Sequence, residues 1–267
     1  MADFDPNQVT GRAFGSVFSA PPEPTKNWLQ GALPSKGRCC LVADGLGTRS
    51  SPSNTFIPLL DNLTPSIQRA NPTLDPRGFS YNFPWHYSPS HTNVSLLYSA
   101  ETLVSAYKPS EELSITYLTF SLAGPLFSLG LSSCLQTEQP NSASLPTSLI
   151  LLQPAFHIGE NGIAAYKAAG LEITPIEELL DPKLRLLDRV IGSLITIIAH
   201  GTPVRMLYWP GDTFVDYPQW LLDRLGRAGV VLTCLQLSFP PRRTRPFQRH
   251  SDVARHGQVH RLLEHIL

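Results

Sequence analysis

The chain of 267 residues carries 21 lysines and arginines and 21 aspartates and glutamates, so its formal net charge is zero. Apolar residues make up 42% of the sequence and charged residues 16%, against about 25% charged in an average soluble domain. This composition excludes a disordered chain and gives no electrostatic case for nucleic acid as a partner. We expect one compact domain with a large core.

Two further observations concern where the protein resides. No stretch reaches the ~18 apolar residues of a membrane span, and the N-terminal residues lack the basic and apolar regions of a signal peptide. We therefore expect a cytoplasmic protein without a membrane span. The four cysteines lie in apolar runs without metal-ligand spacing, which predicts buried reduced thiols. We expect no metal and no organic cofactor.

Strands and helices alternate along the chain after an N-terminal arm or edge hairpin at residues 1–37. The predicted strands are 38–43, 78–83, 113–120, 148–156, 204–208 and 230–238. The predicted helices are 56–63, 96–107, 125–135, several within 157–200, then 217–226 and 259–266. This alternation predicts an α/β fold with an open, mostly parallel sheet and helices on both faces.

Ser121 follows the predicted strand 113–120 directly and precedes a helix. A serine on such a sharp turn presents its hydroxyl at the end of the sheet, and the residues two before and two after it must be small. Ala123 satisfies this requirement, whereas Thr119 is β-branched where glycine is usual. The alternative is that Ser121 is an ordinary serine in a Ser- and Leu-rich stretch.

Asp212 and His250 complete a candidate catalytic triad with Ser121. Asp212 follows the strand 204–208, and His250 lies between the last strand and the last helix. The chain order Ser, Asp, His is that of α/β-hydrolase triads. Asp212 is alternatively a turn residue in a Pro-Gly-Asp-Thr segment. The rivals of His250 lie in the terminal helical pattern, where histidines are usually solvated: His256, His260 and His265.

Over residues 38–267 the sequence resembles the α/β-hydrolase superfamily. The segment 41–47, Leu-Val-Ala-Asp-Gly-Leu-Gly, followed by 56–60, is similar to the family's third strand and the loop behind it. Ser121 with its neighbours is similar to the nucleophile elbow, and 148–155 to the strand leading to the lid. Residues 209–215 match Gly-x-x-Asp-x-x-Val with Trp209 in place of glycine, which selects Asp212 rather than Asp216. The stretch 250–259 is similar to the family's catalytic histidine and the helix behind it.

The resemblance implies further roles for individual residues. The oxyanion hole would use the backbone N–H groups of Leu46 and Leu122, and a small helical cap at about 157–200 would roof the pocket. Three departures bear on whether the site works. Asp44 replaces a histidine, Thr119 replaces the elbow glycine, and a long basic loop containing Arg242 and Arg249 precedes His250.

Aromatic and histidine side chains near these segments are candidate substrate contacts, and core packing or a plain loop position is the alternative for each. The candidates are Trp85, His86, Phe127, Phe156, His157, Trp209 and Phe214.

Together these features predict a serine hydrolase that cleaves a carboxylic ester or thioester through an acyl-enzyme. The apolar cap sequence indicates a hydrophobic substrate moiety. The alternative is a non-hydrolytic or catalytically silent member of the fold: a lyase, an acyltransferase or a binding protein. We expect a small-molecule partner and no nucleic acid, and the sequence leaves a homo-oligomer open.

Overall fold

The computed structural model describes residues 29–30, 33–43, 59–79, 100, 104, 109–137, 145–168, 185–239, 250 and 252–267. The strands are β1 (Leu29–Gln30), β2 (Gly37–Ala43), β3 (Leu74–Phe79), β4 (Leu113–Phe120), β5 (Ser148–Leu152), β6 (Val204–Tyr208) and β7 (Val231–Cys234). The helices are α1 (Leu59–Ala70), α2 (Ala123–Thr137), α3 (Glu160–Ala168), α4 (Leu186–Ala199), α5 (Gln219–Arg227) and α6 (Gly257–Ile266).

All seven strands form one open sheet in the order β1-β3-β2-β4-β5-β6-β7. Strands β2 to β7 run parallel, and only the two-residue β1 at the edge is antiparallel, paired with β3. The predicted α/β class with a mostly parallel sheet is therefore confirmed. Of the predicted arm or edge hairpin at 1–37, the described part includes this edge strand and the start of β2.

The two faces of the sheet carry separate cores, because successive side chains of a strand point to opposite faces. In β2, Cys39 and Leu41 belong to the core cluster that contains α2, α4 and α5, while Cys40 and Val42 belong to the cluster with α1 and α6. Strands β4 and β5 alternate in the same way. Helices thus cover both faces, as predicted.

Strand β3 begins at Leu74, four residues before the predicted 78–83, and ends at Phe79 within the described residues. Its sequence, Leu-Asp-Pro-Arg-Gly-Phe, contains residues that strands usually avoid. Pro76 pairs with Cys40 on the β2 side, while β1 pairs only with Gly78 and Phe79. Among the described residues, no strand other than β2 pairs with Pro76, and such an edge position tolerates a proline.

Helix α4 lies within the predicted cap range 157–200. It packs against α2, and its buried residues, among them Val190 and Leu194, belong to the main core on one face of the sheet. The last part of the predicted cap is therefore part of the helical layer. Residues 169–184 lie outside the described residues, so the cap boundary stays a prediction.

Strand β7 forms the other edge of the sheet, and this corrects one expectation for the cysteines. Cys39 and Cys40 are buried as predicted, whereas Cys134 is only partly buried and Cys234 is exposed because it lies on this edge strand. All four cysteines are free thiols.

The strand register aligns the carboxyl ends of the central strands. Phe120 of β4 pairs with Leu152 of β5, and Leu152 pairs with Leu207 of β6. The residues that follow these three strands therefore meet at one edge of the sheet, where open α/β sheets bind their ligands.

Candidate active site

Ser121 occupies the tight turn between β4, the central strand, and α2. Its backbone is left-handed, with φ of 55°, a conformation that costs a non-glycine residue about 1–3 kcal/mol. Three hydrogen bonds hold it there: the Ser121 N–H donates to Leu152 O at 3.2 Å, and Ser121 O accepts from Gly124 N at 3.1 Å and from Ala155 N at 3.0 Å. A strained serine between a strand and a helix is the geometry of a nucleophile elbow.

The unusual Thr119 fits this turn without exposing its hydroxyl. Its side chain is fully buried, and Oγ1 donates to Ile150 O of the neighbouring strand β5 at 3.3 Å. The hydroxyl of this β-branched residue is therefore satisfied by the backbone of the paired strand.

Asp212 lies in the loop after β6 and is nearly buried, with 8% of its surface exposed. Its Oδ1 accepts hydrogen bonds from the Phe214 and Val215 N–H groups at 2.7 and 3.4 Å. Burial alone would raise the pKa of the carboxyl, but the imidazole of His250 and the hydrogen bonds to the carboxylate hold the pKa of Asp212 below its ordinary value of 3.8. The group is therefore a carboxylate at neutral pH.

His250 lies against this carboxylate, with 2.6 Å between its Nδ1 and Asp212 Oδ2. Because an ionised carboxylate only accepts hydrogen bonds, the proton of the neutral imidazole is on Nδ1. Nε2 then has a free lone pair, which is what a general base requires. Nε2 is buried and has no hydrogen-bond partner among the described residues.

Two aromatic rings flank the imidazole and place it beside the serine turn. The ring centroid of His250 is 4.8 Å from that of Phe120, the residue directly before Ser121, and 4.9 Å from that of Phe214. His250 thus lies against the acid loop and against the residue before the elbow serine, but the structure shows no hydrogen bond between its Nε2 and the Ser121 hydroxyl. Phe214, a predicted substrate contact, is 1% exposed and packs against the histidine instead.

Gln153, which the sequence reasoning did not single out, also contacts this site. It follows β5, has a left-handed backbone with φ of 48°, and is fully buried. Its Nε2 donates to Asp212 Oδ2 at 2.8 Å. The available signal was a polar residue within the otherwise apolar segment 149–156.

Of the two predicted oxyanion donors, the structure describes Leu122 alone. Leu122 is buried and directly precedes α2. The first backbone N–H groups of a helix lack acceptors within the helix, so the carboxyl edge of the sheet at Ser121 carries donors suited to an anion. Leu46 and Asp44 lie outside the described residues.

The other predicted substrate contacts occupy several environments. Phe127 and Phe156 are fully buried in the core, and the Phe127 ring packs against Tyr117 at 5.4 Å, so neither has exposed surface for a substrate. Trp209 packs against Phe239 at 4.9 Å, close to the start of the segment that leads to His250. Trp85 and His86 lie outside the described residues.

His157 is the remaining candidate and is partly exposed at the same edge of the sheet. Its Nδ1 is 3.6 Å from Asp216 Oδ2, and its ring meets that of Trp220 edge-on at 6.0 Å. Trp220 is 45% exposed. The structure gives no contact between this cluster and Asp212 or His250.

Neither a metal centre nor a membrane helix is found in the part of the chain that the structure describes. It contains no group of three or more His, Cys, Asp or Glu side chains arranged to hold an ion. None of its helices combines the length and apolar character needed to cross a bilayer.

A mostly parallel sheet with a serine in the tight turn between its central strand and the next helix is the arrangement of the α/β-hydrolase fold. The resemblance stated from the sequence is therefore confirmed at the level of the fold.

No protein-family model and no curated protein sequence matches the chain. Similar solved structures include Est1E from Butyrivibrio proteoclasticus, which is 14% identical with a TM-score of 0.47 over 87% of each chain. Carboxyl esterase 2 from Tuber melanosporum is 14% identical with a TM-score of 0.46, over 85% of this chain and 80% of that one. A thioesterase domain from the curacin biosynthetic pathway is 12% identical with a TM-score of 0.46, over 85% and 91%. Likenesses this distant carry no weight for an activity.

Proposed function

We propose that this protein is a serine hydrolase that cleaves a carboxylic ester or thioester through an acyl-enzyme. The observation that carries the proposal is the buried His250–Asp212 pair, 2.6 Å apart, beside a serine held in a strained left-handed turn. A histidine oriented by a buried carboxylate next to a serine is the constellation that activates a hydroxyl for attack on a carbonyl.

The hydrogen bond between Nδ1 of His250 and Asp212 determines the role of each side chain in the proposed reaction. The Ser121 hydroxyl attacks the substrate carbonyl while Nε2 of His250 takes its proton, because Nδ1 already carries one. Asp212 keeps the imidazole in that tautomer and stabilises the imidazolium that forms. His250 then returns the proton to the leaving alcohol or thiol, and a water molecule hydrolyses the acyl-serine by the same route.

The tetrahedral intermediate needs donors for its oxyanion. In this proposal they are the N–H groups of Leu122, at the start of α2, and of Leu46. Removing one such donor typically costs about 10²–10³ in kcat. In a free hydrolase the hydrogen bond between the catalytic serine and histidine is often long or poorly aligned and tightens when substrate binds, which agrees with the absence of a partner for Nε2 of His250 among the described residues.

The hydrophobic moiety of the substrate is proposed from the sequence of the cap. The apolar residues on which it depends lie at 171–180, outside the described residues. The test is the acyl-chain dependence of hydrolysis, since an apolar pocket should favour p-nitrophenyl hexanoate over the acetate in kcat/KM.

Labelling with a fluorophosphonate probe tests the nucleophile. We expect the wild type to be labelled, mass spectrometry to locate the label on Ser121, and Ser121→Ala to abolish both labelling and ester hydrolysis. Ser128→Ala is the matched control, because Ser128 is a buried serine two turns further along whose hydroxyl donates to Gly124 O at 2.8 Å. Labelling that persists in Ser121→Ala would show that the nucleophile is another residue. A folded wild type that neither labels nor hydrolyses esters would favour the lyase, acyltransferase or silent alternative.

A further inference from the structure

A short turn after β5 contacts both halves of the candidate site. We call residues 152–155 the brace. On one side, Leu152 O and Ala155 N hydrogen-bond to the backbone of Ser121. On the other side, the Gln153 N–H donates to Leu207 O of β6 at 2.8 Å, and Pro154 O accepts from the Tyr217 hydroxyl at 2.9 Å. The brace thus connects the elbow to the loop that carries Asp212.

The side chain of Gln153 makes three hydrogen bonds across the brace. Its Oε1 accepts from the Trp209 N–H at 2.7 Å, and its Nε2 donates to Trp209 O at 3.2 Å. The same Nε2 donates to Asp212 Oδ2 at 2.8 Å. These contacts explain why a strained backbone at Gln153 is retained, since they satisfy every polar function of a fully buried amide.

The third contact distinguishes Gln153 from a purely structural residue. Fixing the loop would need only the two bonds to Trp209. The bond to Asp212 reaches the oxygen that His250 also uses, so Oδ2 lies between the Gln153 Nε2 and the His250 Nδ1. A neutral amide donor can orient this oxygen without neutralising the carboxylate, whereas a lysine or arginine would compete with His250 for its charge.

We propose that Gln153 is a positioning residue of the candidate active site, which holds Asp212 Oδ2 in line with Nδ1 of His250. This inference rests on the proposed serine-hydrolase function for its kinetic meaning. The titratable groups that face Asp212 are His250 and Tyr217, and the Tyr217 hydroxyl is held by Pro154 O. Among the described residues, no other ionisable side chain shifts the pKa of the Asp212 carboxyl.

Two substitutions at Gln153 separate positioning from packing. Gln153→Met keeps the length of the side chain and removes all three hydrogen bonds. Gln153→Glu keeps the acceptor for Trp209 N–H, and its carboxyl can donate to Asp212 Oδ2 only while protonated. A carboxyl buried beside another carboxylate holds its proton to higher pH than a free one. The two variants therefore differ in whether low pH restores the donor.

Thr202→Val is the matched control. Thr202 is also buried, and its Oγ1 donates to Pro146 O at 3.0 Å. It links the segments at the amino ends of β5 and β6, as Gln153 links those at the carboxyl ends. Its removal costs a comparable buried hydrogen bond far from Asp212.

We expect Gln153→Met to lower kcat/KM about tenfold to hundredfold, mainly through kcat, since the buried hydrogen bond to the charged Asp212 is lost. The ratio of kcat/KM for Gln153→Glu to that for Gln153→Met should rise as pH falls, because the protonated carboxyl restores the donor. Thr202→Val should keep the wild-type pH profile. A ratio that does not change with pH, or the same kinetic loss in Thr202→Val, would overturn the proposal.

A readout without turnover keeps this test separate from the hydrolase proposal. The low-field NMR resonance of the His250 Nδ1 proton reports its hydrogen bond to Asp212 in active and inactive protein alike. We expect the resonance to move in Gln153→Met and to stay in place in Thr202→Val. An unchanged resonance in both variants would refute the positioning role even if the enzyme is active. A shifted resonance in a protein without esterase activity would support the role and refute only the proposed reaction.

Discussion

Gly124 faces Pro154 so closely that a methyl group on Gly124 would lie 2.7 Å from the Pro154 Cβ. Real Cβ atoms essentially never approach a neighbour to this distance. The first turn of α2 therefore touches the brace through a residue without a side chain, and the position of Ser121 depends on that contact.

Gly124→Ala should therefore damage the site as well as the fold. The added methyl group must push the brace away from α2, and overpacking of this kind costs about 1–3 kcal/mol. We expect a lower free energy of unfolding in urea and a loss of ester hydrolysis larger than the fraction of unfolded protein explains. Wild-type activity in Gly124→Ala would mean that the elbow tolerates a displaced brace.

Gly192→Ala is the control for this change. Gly192 lies in the exposed part of α4, and a Cβ there would meet nothing within 4 Å. Alanine should stabilise the helix by about 0.5–1 kcal/mol. Urea unfolding of both variants should thus give shifts of opposite sign.

Asp212→Asn tests the orientation of His250. The amide keeps the shape of the side chain and its acceptor for the Phe214 N–H. If the amide nitrogen faces Nδ1, it donates there and favours the imidazole tautomer with its proton on Nε2, which cannot accept the serine proton. We expect kcat to fall by about 10³–10⁴ with little change in the melting temperature.

Asp216→Asn serves as the comparison for Asp212→Asn. Asp216 lies four residues further on and its side chain is 58% exposed, 3.6 Å from His157. We expect steady-state kinetics near those of the wild type. Equal losses in the two variants would remove the reason for assigning the acid to Asp212.

His260 should make the stability of the protein depend on pH. It lies on α6 and faces α1, where its Nδ1 is 2.8 Å from the hydroxyl of Ser66. Burial, followed by the charge of Arg69, lowers the pKa of His260 below its ordinary value of 6.5. The fold therefore favours the neutral ring, so this contribution to stability is present above pH 6.5 and is lost as pH falls through the lower pKa in the folded state.

Urea unfolding at a series of pH values checks this expectation. The wild type should lose stability below pH 6.5 more steeply than His260→Gln, whose side chain does not titrate. Parallel pH dependences for the two proteins would show that His260 is not responsible.

The thiols should differ sharply in reactivity. Burial raises the pKa of Cys39 to about 12, and Cys40 is completely buried beside it, whereas Cys234 is exposed on the edge strand. Since the thiolate is the reactive form, we expect iodoacetamide to modify Cys234 in the native protein and Cys39 and Cys40 only after unfolding. Mass spectrometry of the alkylated peptides measures this. Native modification of Cys39 would place β2 outside the centre of the sheet.

The sequence predicts the elements whose apolar pattern is unambiguous. The sequence predicts strand β4 at its exact bounds. Seven of its eight residues are buried, and the strand consists mostly of apolar residues and β-formers. The sequence does not predict the start of β3, because Asp75 and Pro76 are typical of turns. Among the described residues β1 pairs only with Gly78 and Phe79, so Pro76 pairs with β2 alone, a position where a proline is tolerated.

The site was predictable in its chain order but not in its contacts. Ser121, Asp212 and His250 follow from motifs that each lie next to a strand end. Gln153 does not, because its partners Trp209 and Asp212 are 56 and 59 residues away and become neighbours only when β5 and β6 pair. Phe127 and Phe156 show the reverse difficulty, since a sequence does not distinguish an aromatic ring in the core from one in a pocket.

The common register of β4, β5 and β6 also limits how this protein can change in evolution. One residue inserted within β5 would exchange the two faces of the strand beyond it. Gln153 would then turn away from Trp209 while every apolar position stayed apolar. We therefore expect the lengths of β4, β5 and β6 to be conserved together with the site residues, although no core residue of these strands takes part in the proposed reaction.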